Sequence, residues 1–75
     1  MSNQNFIIKR GKEILRTITP TLESQRKKGE FVTIEIKSGK FFIGRSPIQA
    51  INKAKRQFPH EQFFIAQIGQ ALLHL

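Results

Sequence analysis

Few side-chain types in this chain could do covalent or acid–base chemistry. Cys and Asp are absent, so catalysis would rest on Glu, His, Ser, Thr, Lys or Arg. A serine nucleophile would have to combine Ser2, Ser24, Ser38 or Ser46 with His60 or His74. No G-x-S-x-G elbow presents any of these serines. Ser38 and Ser46 also stand where a turn and a helix cap are expected. His60 and Glu61 are adjacent after Pro59, but a metal needs at least one more ligand, and His74 lies at no ligand spacing from them. Gly39-Lys40 does not make a phosphate loop. Ile34 stands where the earlier glycine is required, and Phe41 replaces the Ser or Thr that would hold magnesium. These residues support no enzyme, no cofactor and no metal site.

The charges are more informative. Thirteen Lys and Arg oppose five Glu, a formal net charge of +8 over 75 residues. Residues 1–30 carry seven bases and three acids, and residues 31–75 six bases and two acids, so each part is +4. No basic tail can detach, and any basic surface must be made by the folded domain. Nucleic acid, acidic protein and anionic surfaces are the partners such a charge attracts. Lys37, Lys40 and Phe42 fall with Thr33 and Glu35 on one face of an expected hairpin. On an open sheet that aromatic would stack a base while the lysines meet phosphates. Arg45 at the strand end, with Lys53 and Arg56 on the polar face of the next helix, would extend this basic face. Arg26-Lys27-Lys28 form a further cluster. The plainer role for these lysines is to keep a sheet edge from aggregating.

Apolar content points to interfaces. The 29 apolar residues include eleven Ile and seven Phe, yet a domain this short buries only about 60% of its chain surface. Phe42, Phe63, Leu72, Leu73 and Leu75 exceed what one thin core can take in, and large exposed apolar patches mark contact surfaces. The leading expectation is a non-enzymatic interaction module, a homo-oligomer (dimer favoured) or the companion of a dedicated protein partner. Nucleic-acid binding by the basic face is the alternative. The longest apolar runs, at 6–8, 41–43 and 63–66, fall far short of the roughly 20 residues a membrane span needs. A cytoplasmic location without membrane partners is expected, and the lack of cysteine fits a reducing compartment.

These side chains must be positioned by one α+β domain spanning residues 1–75. Residues 1–5 read as frayed, and residues 70–75 as a tail suited to an oligomer contact. Ile14, Leu15 and Ile18 have helical spacing, Thr19-Pro20 reads as a break or fresh start, and Gly29 ends the helical stretch. The pattern leaves open one kinked helix or two short ones over residues 9–28. Residues 31–37 alternate as a strand. A two-residue Ser38-Gly39 turn would pair Ile36 with Phe41 and Ile34 with Ile43. Ser46-Pro47-Ile48-Gln49 is a capping box opening a helix over 47–58, with Ile48, Ile51, Ala54 and Phe58 as its apolar stripe. Residues 62–68 form a third strand. The expected sheet order is 2-1-3 with residues 31–37 central. A crossover helix and an N-terminal helix would cover the Val32/Ile34/Ile36 face.

The run Gly29-Glu30-Phe31-Val32-Thr33-Ile34, then Phe42-Ile43-Gly44, Ser46-Pro47-x-x-Ala50 and Phe63-Phe64 to Ile68-Gly69 resembles a family of small uncharacterised bacterial and archaeal domains, common in cyanobacteria. The resemblance covers residues 19–69. Thr33, Gln49 and Gln67 depart from the Ala, Glu and Arg usual in that family. It implies a stand-alone domain of unknown function, a companion to a neighbouring gene product with an antitoxin-like role as one version, and no catalytic residue.

Overall fold

A computed structural model of the chain describes residues 3–25 and 27–69. Helix α1 spans Asn3–Ser24, strand β1 Phe31–Glu35, strand β2 Phe41–Gly44, helix α2 Pro47–Gln57 and strand β3 Phe63–Gln67. The three strands form one sheet in the order β2-β1-β3. Both outer strands run antiparallel to β1. The α+β class, the strand order and the crossover helix are those the alternation and caps predict. Residues 70–75, and with them the tail leucines Leu72, Leu73 and Leu75, lie outside the described residues, as do residues 1–2 and Arg26.

α1 is a single helix that includes Asn3 to Asn5 and runs through Pro20. The proline removes one amide donor from the helix ladder. Nearby, the Thr19 hydroxyl donates to the Leu15 carbonyl at 2.6 Å, and Thr17 does the same to Glu13 at 3.1 Å. Pro20 is exposed. Leu22, one turn beyond Ile18, belongs to the core cluster with Val32, Ile34, Ala66 and Ile68. That burial holds the helix together across its weakest turn.

The hairpin register differs from the expected one by two residues. Ile34 pairs with Phe41, Thr33 with Phe42 and Val32 with Ile43. The turn is longer because Glu35 closes it. Its carboxylate accepts the Lys37 and Ser38 backbone N–H groups at 2.9 and 2.8 Å. Its backbone accepts from the Gly39 N–H at 2.8 Å and donates to the Lys40 carbonyl at 2.8 Å. Gly39 takes φ 78°, the left-handed geometry that completes such a loop. Strand side chains alternate with period two, so a slip of two residues leaves every side chain on its face. The apolar set Val32, Ile34, Phe41 and Ile43 therefore stays together.

The helices lie on opposite faces of the sheet, which corrects the expectation that both cover the Val32/Ile34 face. α1 takes that face. Ile14, Leu15 and Ile18 pack on the core cluster, and Gly11 sits directly against Phe64, the β3 partner of Ile34. α2 takes the Thr33/Phe42/Gly44 face. A Cβ on Gly44 would stand 2.5 Å from the Ala50 backbone nitrogen, so the bare glycine is what lets α2 settle on β2. This close approach also chooses the buried stripe of α2. Ala50 and Ala54 are fully buried, whereas Ile48, expected in the stripe, is 66% exposed.

Candidate functional site

Each helix covers one margin of the sheet. α2 packs on β2 and β1, and α1 packs chiefly on β3. The β2 flank on the α1 side is therefore thinly covered, and Phe41 is 39% exposed there. Between α1 and β2 lies a groove of about 420 Å³, lined by Ile18, Leu22, Phe41 and Ile43 with Thr17, Thr21, Gln25 and Lys27. Phe41 also lines a second concavity of about 470 Å³, with Ser38, Gly39, Lys40, Phe42 and Gln57. The sequence pattern assigns Phe41 to the core because it shares a face with Val32 and Ile34. Nothing in the local pattern says that α1 would sit toward β3 and leave Phe41 at a margin.

The edge of β2 is managed by cations. The Glu35 N–H donates to the Lys40 carbonyl, so residues 40, 42 and 44 point their backbone groups at β1, and Phe41 and Ile43 point theirs outward. Lys53 of α2 reaches over and donates its ammonium to the outward Ile43 carbonyl at 2.6 Å. The helix is held in reach by its cap. Ser46 Oγ accepts the Gln49 N–H at 3.1 Å, and Gln49 Oε1 accepts the Arg45 N–H at 2.7 Å. The capping box thus forms as predicted on the serine side, while its glutamine reaches one residue further back than usual. Arg45 and Lys53 are both tied to this edge, Arg56 follows Lys53 by one helical turn, and Lys40 borders the adjoining concavity.

Other expected site residues lie elsewhere. Phe42 does not stand on an open sheet face. It is half-buried under α2, edge to face with Phe58 at 6.2 Å between ring centres. Thr33 and Glu35, its expected face-mates, are buried. Lys37 pairs with Glu61 at 3.5 Å, the one ion pair among the described residues. Phe63 is half-buried in β3, at the opposite margin from β2.

Glu35 is 1% exposed. Burial alone would raise its carboxyl. Hydrogen bonds from the Ser38 hydroxyl and from the Lys37 and Ser38 backbone N–H groups, with the Lys37 charge, hold it below its ordinary value instead. Both carboxylate oxygens are used by the turn, so this acid holds the Lys37–Lys40 loop in shape. Among the described residues no three His, Cys, Asp or Glu gather as a metal-binding group. Nor is any helix there long and apolar enough to cross a membrane.

Comparison of the chain with protein-family models, with curated proteins and with solved structures finds no match.

Proposed function

We propose that this protein is a non-enzymatic interaction module that holds a dedicated protein partner along the β2 flank, in the cytoplasm. The observation that carries the reading is Phe41. It is an exposed aromatic between an apolar groove and a cation-bordered concavity. An acidic segment with one or two apolar side chains suits that combination. Its apolar groups would fill the groove beside Ile18 and Ile43, and its carboxylates would meet Lys27, Lys40 or Lys53. The role as companion to a neighbouring gene product, antitoxin-like in one version, agrees with this reading. Retention of a protein partner by immobilised chain in nuclease-treated native extract tests it. Phe41→Ser should abolish the retention at unchanged fold. Equal retention by Phe41→Ser would place the partner elsewhere.

A second reading is favoured by one observation: Lys40, Arg45, Lys53 and Arg56 have no acid in ion-pair range among the described residues. Such a row suits the phosphates of a nucleic acid. Titration with single- and double-stranded DNA and RNA at several salt concentrations tests it, since phosphate contacts make affinity fall steeply with salt. Charge reversal at Lys53 should then weaken binding more than reversal at Lys37, which already faces Glu61. Affinity that ignores salt and both reversals would remove this reading.

A further inference from the structure

The two ends of α1 differ in kind. Toward its C-terminal end, Ile14, Leu15, Ile18 and Leu22 pack into the core. Gly11 is buried against Phe64, near the start of β3. Residues 3–10 come before that contact and add about 12 Å of helix at roughly 1.5 Å per residue. None of residues 4–10 is buried. Phe6 is 60% and Ile8 45% exposed, and Ile7 between them is half-buried. Cations surround this apolar trio. Residues 3–16 hold Lys9, Arg10, Lys12 and Arg16 against one acid, Glu13. None of the four is in an ion pair among the described residues. At about 100° per residue, Lys9, Lys12 and Arg16 fall within about 60° of one another, opposite Ile7, and Arg10 stands between Phe6 and Ile7.

We infer that this overhanging end of α1 is a membrane-surface contact, and that it binds the headgroup layer of an anionic lipid bilayer. The choice of occupant follows from shape and charge. A protein groove takes in one stripe of a helix, about 100° wide, whereas Phe6, Ile7 and Ile8 spread over about 200°. A fluid headgroup layer closes round such an end from several sides. A nucleic acid would meet the cations, but it offers two isoleucines nothing to stack on. A second copy would set these cations against their own twins. An anionic bilayer takes both groups. The trio enters the headgroup–acyl boundary, and Lys9, Arg10 and Lys12, within about a turn of it, meet lipid phosphates. Either signal alone holds a protein only marginally, and the two add. The expectation of no membrane partner rests on the length of apolar runs, which bears on a span and not on a surface contact. No described helix is long and apolar enough to cross a membrane, and this contact needs none. It does not rest on the β2 reading.

The test is co-sedimentation of the full chain with vesicles of phosphatidylcholine alone and of phosphatidylcholine with phosphatidylglycerol, at several salt concentrations. Binding to the anionic vesicles that weakens as salt rises is expected, with little binding to the neutral ones. Phe6→Ser should weaken it about tenfold, the loss for one apolar side chain withdrawn from the boundary. Lys9→Gln should weaken it about fivefold, the share of one cation near an anionic surface. Lys55→Gln removes an equal charge from the exposed side of α2 and should change it far less. The chain has no Trp. Phe6→Trp therefore gives a single indole, whose emission should move to the blue with anionic vesicles while that of Ile48→Trp on α2 stays. No binding, equal binding to both vesicle types, or equal losses from Lys9→Gln and Lys55→Gln would overturn the inference. So would vesicle binding that Phe6→Ser leaves unchanged. Nucleic acid that shifts the Phe6→Trp emission and displaces the vesicles would overturn it in favour of nucleic acid. Phe41→Ser should leave vesicle binding unchanged, and Phe6→Ser should leave partner retention at β2 unchanged, so the two readings fail separately.

Discussion

The two outer strands pair with the same central strand and meet solvent in opposite ways. The β2 edge is short and flanked by Lys40 and Arg45. Its outward Ile43 carbonyl is taken up by Lys53. The β3 edge is uncharged and has no such plug among the described residues. The difference follows from where the helices sit. α2 lies on the β2 side and lends its lysine to that edge. α1 lies on the opposite face and has no side chain shown bonding the outward groups of β3. A charged edge discourages copies of itself and invites an anionic partner. An uncharged edge with free amides does the reverse.

This contrast can be broken most severely at Gly44. Gly44→Ala drives a methyl into the Ala50 backbone, so α2 must lift from β2 and take Lys53 with it. A loss of about 3 kcal/mol is expected, the upper range for overpacking, read by denaturant unfolding. Stability within error of wild type would mean that α2 is not seated by that contact.

Glu35→Gln comes next. It puts an amide where two backbone donors need acceptors and loosens the turn that sets the β2 register. A cost of about 2 kcal/mol near neutral pH is expected, the range for hydrogen bonds to a charged group. The sign with pH is fixed by the lowered carboxyl. Its contribution is complete above the unfolded value of about 4.5 and drains away as pH falls through the lower folded value. The gap between wild type and Glu35→Gln should therefore narrow on acidification. A gap that widens would reverse the assigned shift.

Thr33 lies between the two margins, on the α2 face. Its hydroxyl is buried with no hydrogen-bond partner among the described residues. Thr33→Val keeps the shape and removes the orphan, so a gain of about 1 kcal/mol is expected, seen as a higher Tm. A lower Tm would show that the hydroxyl has a partner after all.

The smallest effect on stability and the sharpest on the comparison is Lys53→Ala. An exposed lysine should change stability by no more than about 0.5 kcal/mol. Yet the change uncaps Ile43 and makes β2 resemble β3. The expected result is larger species in light scattering, growing as salt screens the net charge. Unchanged mass would mean that Lys53 does not guard the edge.

Much of the scaffold was legible. The alternation of Val32, Ile34 and Ile36 marks the central strand, and Ser46-Pro47 marks the start of α2. Local rules at these positions agree with the global fold. A complete turn at Ser38-Gly39 predicts a hairpin register two residues from the observed one. Glu35 supplied two further hydrogen bonds from outside that pair. The candidate site was less legible. Charge singles out Lys53 and Arg45, and both stand at the β2 edge. The alternation puts Phe42 on an open face and Phe41 inside, whereas α2 covers Phe42 and Phe41 is left exposed.

What the sequence determined by itself is period and punctuation: which residues alternate, where helices start, and which side chains share a face. Those properties depend on neighbours a few positions apart. Which helix covers which face, and how far across the sheet each one lies, was decided only by the tertiary structure. That choice depends on close approaches between distant segments, Ala50 over Gly44 and Gly11 over Phe64. No local pattern records these approaches. They decide which aromatic is buried, which lysine guards an edge, and which edge is left bare.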